Sequence, residues 1–263
     1  MLDIKIYGCH SRDENIKKCM GILNLKDSDI VYDDRPKGGN AYYTFKKALT
    51  QPLEGGITHR LVLPDDMQLC EGFKERLDFI VNKFPKKIIE LFPFGYEALP
   101  SLPVETPYYR TFAPSACGLV FPVQIIKEMI DWIESDYLAK THLTVDNVID
   151  DVAVLDWCKN FSMDMLTTIP SLVQHIGDIS LLGDFPVRRT KFFYDDLTEE
   201  QKNLVNWENA KIKELHPIPN QYTKTHRTPF KDKNGNTLYP FDLSESKIRL
   251  VNAKQSSLGN TID

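Results

Sequence analysis

Short apolar runs alternate with amphipathic stretches along most of the chain, and the period of the pattern switches between two residues and about 3.6. DIKIYGC (3–9) reads as a strand, and the polar stretch from Glu14 to Leu23 as a helix after a turn. DIVYDDR (29–35) predicts a second strand, PKGGN (36–40) a glycine turn, and AYYTFKKAL (41–49) a helix. Beyond Gly55-Gly56, HRLVLP (59–64) is a third strand in which Leu61, Val62 and Leu63 run unbroken. In EGFKERLDFIVNKF (71–84), Phe73, Leu77, Ile80 and Val81 share one helical face, and KIIELFPF (87–94) is strand-like again. This rhythm predicts the α/β class, with a Rossmann-like mixed sheet flanked by helices on both faces.

The middle of the chain is irregular, broken by Pro100, Pro103, Pro107 and Pro114. Helical spacing returns in PVQIIKEMIDWIES (122–135), which opens on a proline suited to a first helical position. A polar helix is expected over VIDDVAVLDWCKNF (148–161), and TIPSLVQHIGDISLLG (168–183) reads as a closing strand and loop. Past Gly183 apolar runs thin out while Lys and Asn become frequent, which predicts a main domain over 1–184 and a C-terminal extension over 185–263.

A chain of 263 residues can bury a full core without disulfides. The five cysteines (Cys9, Cys19, Cys70, Cys117, Cys158) include no C-x-x-C pair, which points to reduced thiols and a cytoplasmic setting, and away from zinc. No apolar stretch approaches the roughly 18 residues of a membrane span, and no secretory signal pattern opens the chain, so no membrane partner is expected. Residues 186–263 hold 13 Lys or Arg against 10 Asp or Glu, leaving 19 against 27 in residues 1–185. An acidic body with a mildly basic end does not suggest a protein that grips nucleic acid by charge alone.

Ligands of open α/β sheets bind beyond the carboxyl ends of the strands. THRLVLPDDM (58–67) puts Asp65 and Asp66 at such an end. Adjacent carboxylates repel, so a cation must compensate them or the pair is a solvated surface turn. A hard divalent ion is one such cation, since it takes one or two carboxylates together with phosphate oxygens. Asp33, Asp34 and Arg35 close the second strand with groups able to hydrogen-bond a ribose or base, and Arg12 lies near the end of the first. Asn40 precedes a helix start, where phosphate is attracted. His175 follows a β-rich run, and its imidazole either completes a metal site, suiting Mn²⁺ better than Mg²⁺, or is structural. In DNVIDD (146–151), Asp150 and Asp151 either cap a helix or supply a base.

Taken in order, these segments resemble the nucleotide-sugar core of GT-A fold glycosyltransferases. LVLPDDMQLCEGF resembles that family's Asp-x-Asp strand end, although Pro64 stands where many relatives are acidic. RTFAPSACGLVFPVQIIKEMIDWI (110–133) resembles its acceptor-side segment, DNVIDDVAVLDWCK (146–159) the acidic motif that carries the base in inverting members, and IPSLVQHIGDISLLG the segment with a metal-binding histidine. The resemblance implies Asp66 and His175 as ligands of Mn²⁺ or Mg²⁺, with Asp151 as catalytic base and Asp150 as its alternate. It implies Arg12, Asp33, Asp34, Arg35, Asn40 and Asp65 at the nucleotide sugar, with UDP-glucose or a related UDP-sugar as donor. RPKGGNAYYTFKKA and THRLVLPDDM also resemble phage-encoded, TET-associated enzymes that glycosylate 5-hydroxymethylcytosine, which implies DNA with hydroxymethylated bases as a partner. RRTKFFY (188–194) and KTHRTPFKDK (224–233) are basic stretches with aromatics that suit such an acceptor. A glycan, protein or small-molecule acceptor, a nucleotidyltransferase and a non-catalytic module are the other readings.

Overall fold

The computed structural model describes residues 1–35, 41–93, 102, 107–111, 115–176, 189–213, 230–231 and 237–238. Its first unit, Met1–Leu215, opens with β1 (Leu2–Gly8), α1 (Asp13–Leu23), β2 (Ile30–Tyr32), α2 (Tyr42–Leu49) and β3 (His59–Pro64). The chain continues through β4 (Met67–Leu69), α3 (Phe73–Lys83), β5 (Ile88–Glu90), β6 (Tyr108–Arg110), β7 (Leu119–Pro122) and α4 (Val123–Trp132). It then runs through α5 (Leu138–Thr141), α6 (Asp150–Asn160), β8 (Met165–Thr168), β9 (Val173–His175) and α7 (Glu199–Leu204).

Seven strands form one sheet in the order β2-β1-β3-β7-β5-β8-β6. β1 pairs parallel with β2 and β3, and β5 parallel with β8, while β7 lies antiparallel between β3 and β5 and β6 is antiparallel to β8. Five strands therefore point one way, and their carboxyl ends share one edge. β4 and β9 form a separate antiparallel pair, with Met67 opposite His175.

Alternation along the strands sends side chains to two cores. Ile4, Ile6, Leu61, Leu63 and Ile89 pack with Ile16, Cys19 and Leu23 of α1 and with Phe73, Leu77, Ile80 and Val81 of α3. Tyr7, Val62, Ile88, Leu119 and Met165 pack on the other face with residues of α2, α4 and α6. The expected Rossmann-like mixed sheet with helices on both faces is what the chain forms.

Some elements differ from the sequence pattern. β6 and β7 lie in the proline-broken middle, where no strand is expected; all four residues of β7 are buried, so no polar alternation marks it. Pro122 ends β7 and caps α4, which begins one residue later at Val123. α6 is buried on most of its faces, at Val152–Leu155, Trp157 and Cys158, because it packs against both α4 and the sheet.

The composition boundary near 185 is not where the chain divides. Phe192, Phe193, Tyr194 and Leu197 are buried in the first unit. Ser171 N–H donates to the Phe192 carbonyl at 2.8 Å, and Lys213 N–H to that of Tyr108 at 3.0 Å. This strap belongs to the sheet, and the division falls between Leu215 and His216. In the second unit, Phe230–Lys231 pairs antiparallel with Thr237–Leu238. Among the described residues, no helix is long and apolar enough to cross a membrane.

Candidate functional site at the strand ends

The parallel register of β1 and β3 sets Tyr7 opposite Pro64, so Gly8 and Asp65 follow side by side at the sheet edge. Asp65 is spent on holding this edge together. Its Oδ2 accepts from Cys9 N–H at 2.7 Å and its Oδ1 from Arg12 Nη1 at 2.9 Å. Asn15, in the first turn of α1, donates its Nδ2 to the carbonyls of Asp65 at 2.6 Å and Met67 at 3.0 Å. Gly8 makes this approach possible, because a Cβ there would stand 2.1 Å from Asp65 Oδ2. Gly8→Ala is expected to cost about 1–3 kcal/mol of stability by overpacking, read as a fall in the denaturant midpoint. An unchanged midpoint would mean that Asp65 does not brace the two strands.

Asp66 meets the same guanidinium and, in addition, His175. Arg12 Nη1 lies 2.5 Å from its Oδ2, and His175 Nε2 lies 3.4 Å from the same oxygen. The β4–β9 pairing brings His175 here, and Ile176 N–H donating to the Asp66 carbonyl at 2.9 Å fixes the approach. The two adjacent carboxylates thus do separate work, with one guanidinium, Arg12, compensating both.

Asp66 Oδ2 and His175 Nε2 are spaced as two donors on one divalent ion would be, with the Arg12 guanidinium on that same oxygen. Donors in adjacent positions, each about 2.1 Å from an ion, stand about 3 Å apart, close to the separation found. The His175 imidazole is mostly buried, its Nδ1 has no hydrogen-bond partner among the described residues, and burial lowers its pKa, favouring the neutral, ligating form. Among the described residues no group of three or more His, Cys, Asp and Glu side chains is arranged to hold a metal. Phosphate oxygens and water would supply the remaining ligands.

At the end of β2, Asp33 N–H donates to the Gly8 carbonyl at 2.8 Å, joining this strand to the same edge. Arg35 clamps the Asp33 carboxylate through Nε at 2.9 Å and Nη2 at 2.5 Å, which holds its pKa down to about 2. The Arg35 guanidinium also lies 4.5 Å from the centre of the Tyr43 ring. Asp34 is exposed and points to Lys47 Nζ at 3.6 Å, away from Asp33. His10 stacks on Tyr32 with centroids 3.9 Å apart, adding a flat surface between the ends of β1 and β2. Asn40 lies outside the described residues.

Asp150 and Asp151 open α6 at the same sheet edge. Asp150 is buried, and its Oδ1 accepts from Asp151 N–H at 3.0 Å while its Oδ2 has no hydrogen-bond partner among the described residues. Desolvation pushes its pKa up to about 6. Because the folded value exceeds the ordinary 3.8, the fold holds this proton more tightly than the unfolded chain does, and stability falls as pH rises from about 4 to 6. Asp150→Asn keeps the Oδ1 acceptor and removes the buried charge. It is expected to stabilise the chain by about 2–3 kcal/mol at pH 8 and by much less at pH 4. Denaturant titrations at the two pH values check this, and equal effects at both would rule out a buried carboxylate.

Two side chains that sequence reasoning missed feel the charge of both halves of the site. The charges of Asp66 and Asp151 both raise the pKa of Tyr7 and of Cys117, although burial is the larger cause in each. Glu90, at the end of β5, is fully buried and strongly shifted upward, first by desolvation, with Thr111 Oγ1 donating to its Oε2 at 3.2 Å. Nothing in the sequence separates Tyr7 or Glu90 from ordinary strand residues. The single glycine in YGCHSRDEN was the visible signal for the Asp65 cradle.

The aromatics of the first stretch do not offer stacking faces to a nucleic acid. Phe192, Phe193 and Tyr194 are buried, and of the second stretch only Phe230 and Lys231 lie among the described residues. Trp157 and Tyr42 are core residues.

No family model and no curated protein matches this sequence. Among solved structures, the chain is similar to the inositol-1-phosphate CTP transferase from T. maritima, at 12% identity and a TM-score of 0.38 over 78% of this chain and 75% of that one. That level of likeness does not bear on substrate or reaction.

Proposed function

We propose that the chain is a metal-assisted glycosyltransferase that moves a hexose from a nucleoside diphosphate sugar to an acceptor hydroxyl. The observation that supports it is that the Arg12–Asp65–Asp66–His175 cluster and the Asp150–Asp151 pair stand at one sheet edge, where the charges of Asp66 and Asp151 both reach Tyr7 and Cys117. In this reading Asp33, Arg35 and the His10–Tyr32 stack receive the nucleoside. Arg12 turns its guanidinium to the diphosphate, and Asp65 keeps the strand ends in register. Asp66 and His175 would hold Mn²⁺ or Mg²⁺, which supplies Lewis acidity to the departing diphosphate.

Asp151 takes the acceptor proton as the acceptor oxygen bonds to the anomeric carbon. The bond from that carbon to the phosphate oxygen breaks, and its electron pair leaves on the nucleoside diphosphate. With base and leaving group on opposite sides of the ring, the anomeric centre inverts. The acceptor is left open by the geometry, and DNA bearing 5-hydroxymethylcytosine rests on the resemblance alone.

The test is UDP-glucose turnover with Mn²⁺, run with duplex DNA with and without 5-hydroxymethylcytosine, reading UDP release and the mass of the bases. Metal-dependent UDP release that disappears in Asp66→Ala is expected. Pyrophosphate release from UTP or CTP in its place would make the chain a nucleotidyltransferase, and no binding of any nucleotide sugar would leave a non-catalytic module.

A further inference from the structure

One guanidinium nitrogen serves both carboxylates at the end of β3. Arg12 Nη1 stands 2.9 Å from Asp65 Oδ1 and 2.5 Å from Asp66 Oδ2, and His175 Nε2 approaches that second oxygen at 3.4 Å. An ion bound about 2.1 Å from Asp66 Oδ2 would lie within about 5 Å of Nη1 whatever its direction, a range at which like charges oppose each other. Ion and guanidinium therefore contend for the charge of Asp66. The cluster is open to a ligand, since the side chains of Arg12, Asp66 and His175 are 19%, 13% and 17% exposed. Among the described residues no third His, Cys, Asp or Glu joins Asp66 and His175 in a metal-holding group, so the protein alone coordinates an ion weakly. Arg12 itself is free to turn. Its backbone N–H donates to the Cys9 carbonyl at 3.1 Å, its Nη1 keeps Asp65 as an anchor, and its Nε and Nη2 have no hydrogen-bond partner among the described residues.

We infer that Arg12 makes the metal site conditional on the diphosphate: it opposes a divalent ion at Asp66 and His175 while it rests on Asp66, and admits the ion once phosphate oxygens engage the guanidinium. A diphosphate supplies what each cation lacks, oxygen ligands for the ion and an acceptor for the unused donors of the arginine. Metal and nucleotide then bind as one unit, and the Asp66–His175 pair does not collect ions by itself. The inference rests on the nucleotide-sugar reading for the identity of the anion, and deepens it from a set of site residues to a coupling between metal and donor.

The experiment is a Mn²⁺ titration of the full chain, read by loss of the free-ion EPR signal, without nucleotide and with saturating UDP. Wild-type chain, Arg12→Gln, Arg12→Lys and the double variant Arg12→Gln, Asp66→Asn are first checked for folding by thermal melting. Both single variants lose the planar fork that spans the two carboxylates, but only Arg12→Gln loses the charge. Arg12→Gln is expected to bind Mn²⁺ alone about tenfold more tightly than wild type, and Arg12→Lys to stay within about threefold of wild type. The double variant should lose the gain, and the tightening that UDP gives Mn²⁺ should shrink about tenfold in Arg12→Gln. If Arg12→Gln binds Mn²⁺ no more tightly than wild type, or Arg12→Lys gains as much, the inference is overturned and Arg12 is a brace for Asp65. If Arg12→Gln fails to fold, the wild-type chain decides: Mn²⁺ affinity that UDP leaves unchanged overturns the coupling, and a tightening of about tenfold or more upholds it. No Mn²⁺ binding in any of the proteins overturns the metal site and this inference together. Failure of UDP to bind by calorimetry, with the gain in Arg12→Gln intact, overturns the nucleotide-sugar reading and keeps Arg12 as the opponent of the ion.

Discussion

Asp151→Asn is expected to lower kcat about 10²–10⁴-fold while the affinity for UDP-glucose changes little. The substitution keeps the shape of the side chain and removes its capacity to take a proton. Asp151 opens α6, whereas the groups assigned to the nucleotide are carried by β1, β2 and β3 and the loops after them. Binding and chemistry therefore separate: the nucleotide still docks, and the acceptor hydroxyl has no base. Asp150 does not rescue the variant, because its Oδ1 is committed to the Asp151 N–H and its carboxyl is buried. The comparison is kcat and KM for UDP-glucose in the two proteins, beside a direct binding measurement. If kcat survives and only thermal stability moves, Asp151 is a helix-start residue and no more. If binding falls together with kcat, the residue touches the donor, and the base lies elsewhere.

The strands and helices that positioned this edge were visible where periodicity is strong. β3 and α3 follow their apolar patterns, with Phe73, Leu77, Ile80 and Val81 all buried on one helical face. The pairing of Arg35 with Asp33 is local, two residues apart, and the sequence alone suggested a hydrogen-bonding cluster there. What could not be read was how neighbours divide their labour. Asp65 and Asp66 look alike in sequence, yet one binds Cys9 and Arg12 across more than fifty residues and the other meets His175 across a second sheet. Hydrophobic alternation specifies which face of a strand is buried, not which strand lies beside it. The antiparallel insertion of β7 between β3 and β5 was hidden for the same reason. So was the inequality of Asp150 and Asp151, because desolvation depends on what covers a side chain and not on its neighbours in sequence.

The largest stability loss is expected at a residue no pattern singles out. Arg60, the second residue of β3, is fully buried. Its Nε donates to Asp3 Oδ2 at 2.6 Å, its Nη1 to the Leu49 and Gln51 carbonyls at 2.6 and 2.7 Å, and its Nη2 to the Pro52 carbonyl at 3.2 Å. It therefore ties β1 to β3 and satisfies the carbonyls that α2 leaves open at its carboxyl end, where a cation also complements the helix dipole. Arg60→Met fits the volume but leaves the Asp3 carboxylate with Lys5 Nζ at 3.4 Å and strands those carbonyls, at an expected cost of about 3–5 kcal/mol in the denaturant-unfolding free energy. Arg60→Lys keeps the charge but replaces the planar fork with a point donor that cannot reach all the carbonyls at once, so it should recover only part of the loss. A cost below about 1 kcal/mol for both variants, the level of an ordinary surface change, would mean that the network is replaceable by packing. The ordering of Met below Lys below Arg carries the argument: a purely hydrophobic contribution from the stem would favour Met over Lys, whereas a network of directed hydrogen bonds to the end of α2 requires the reverse.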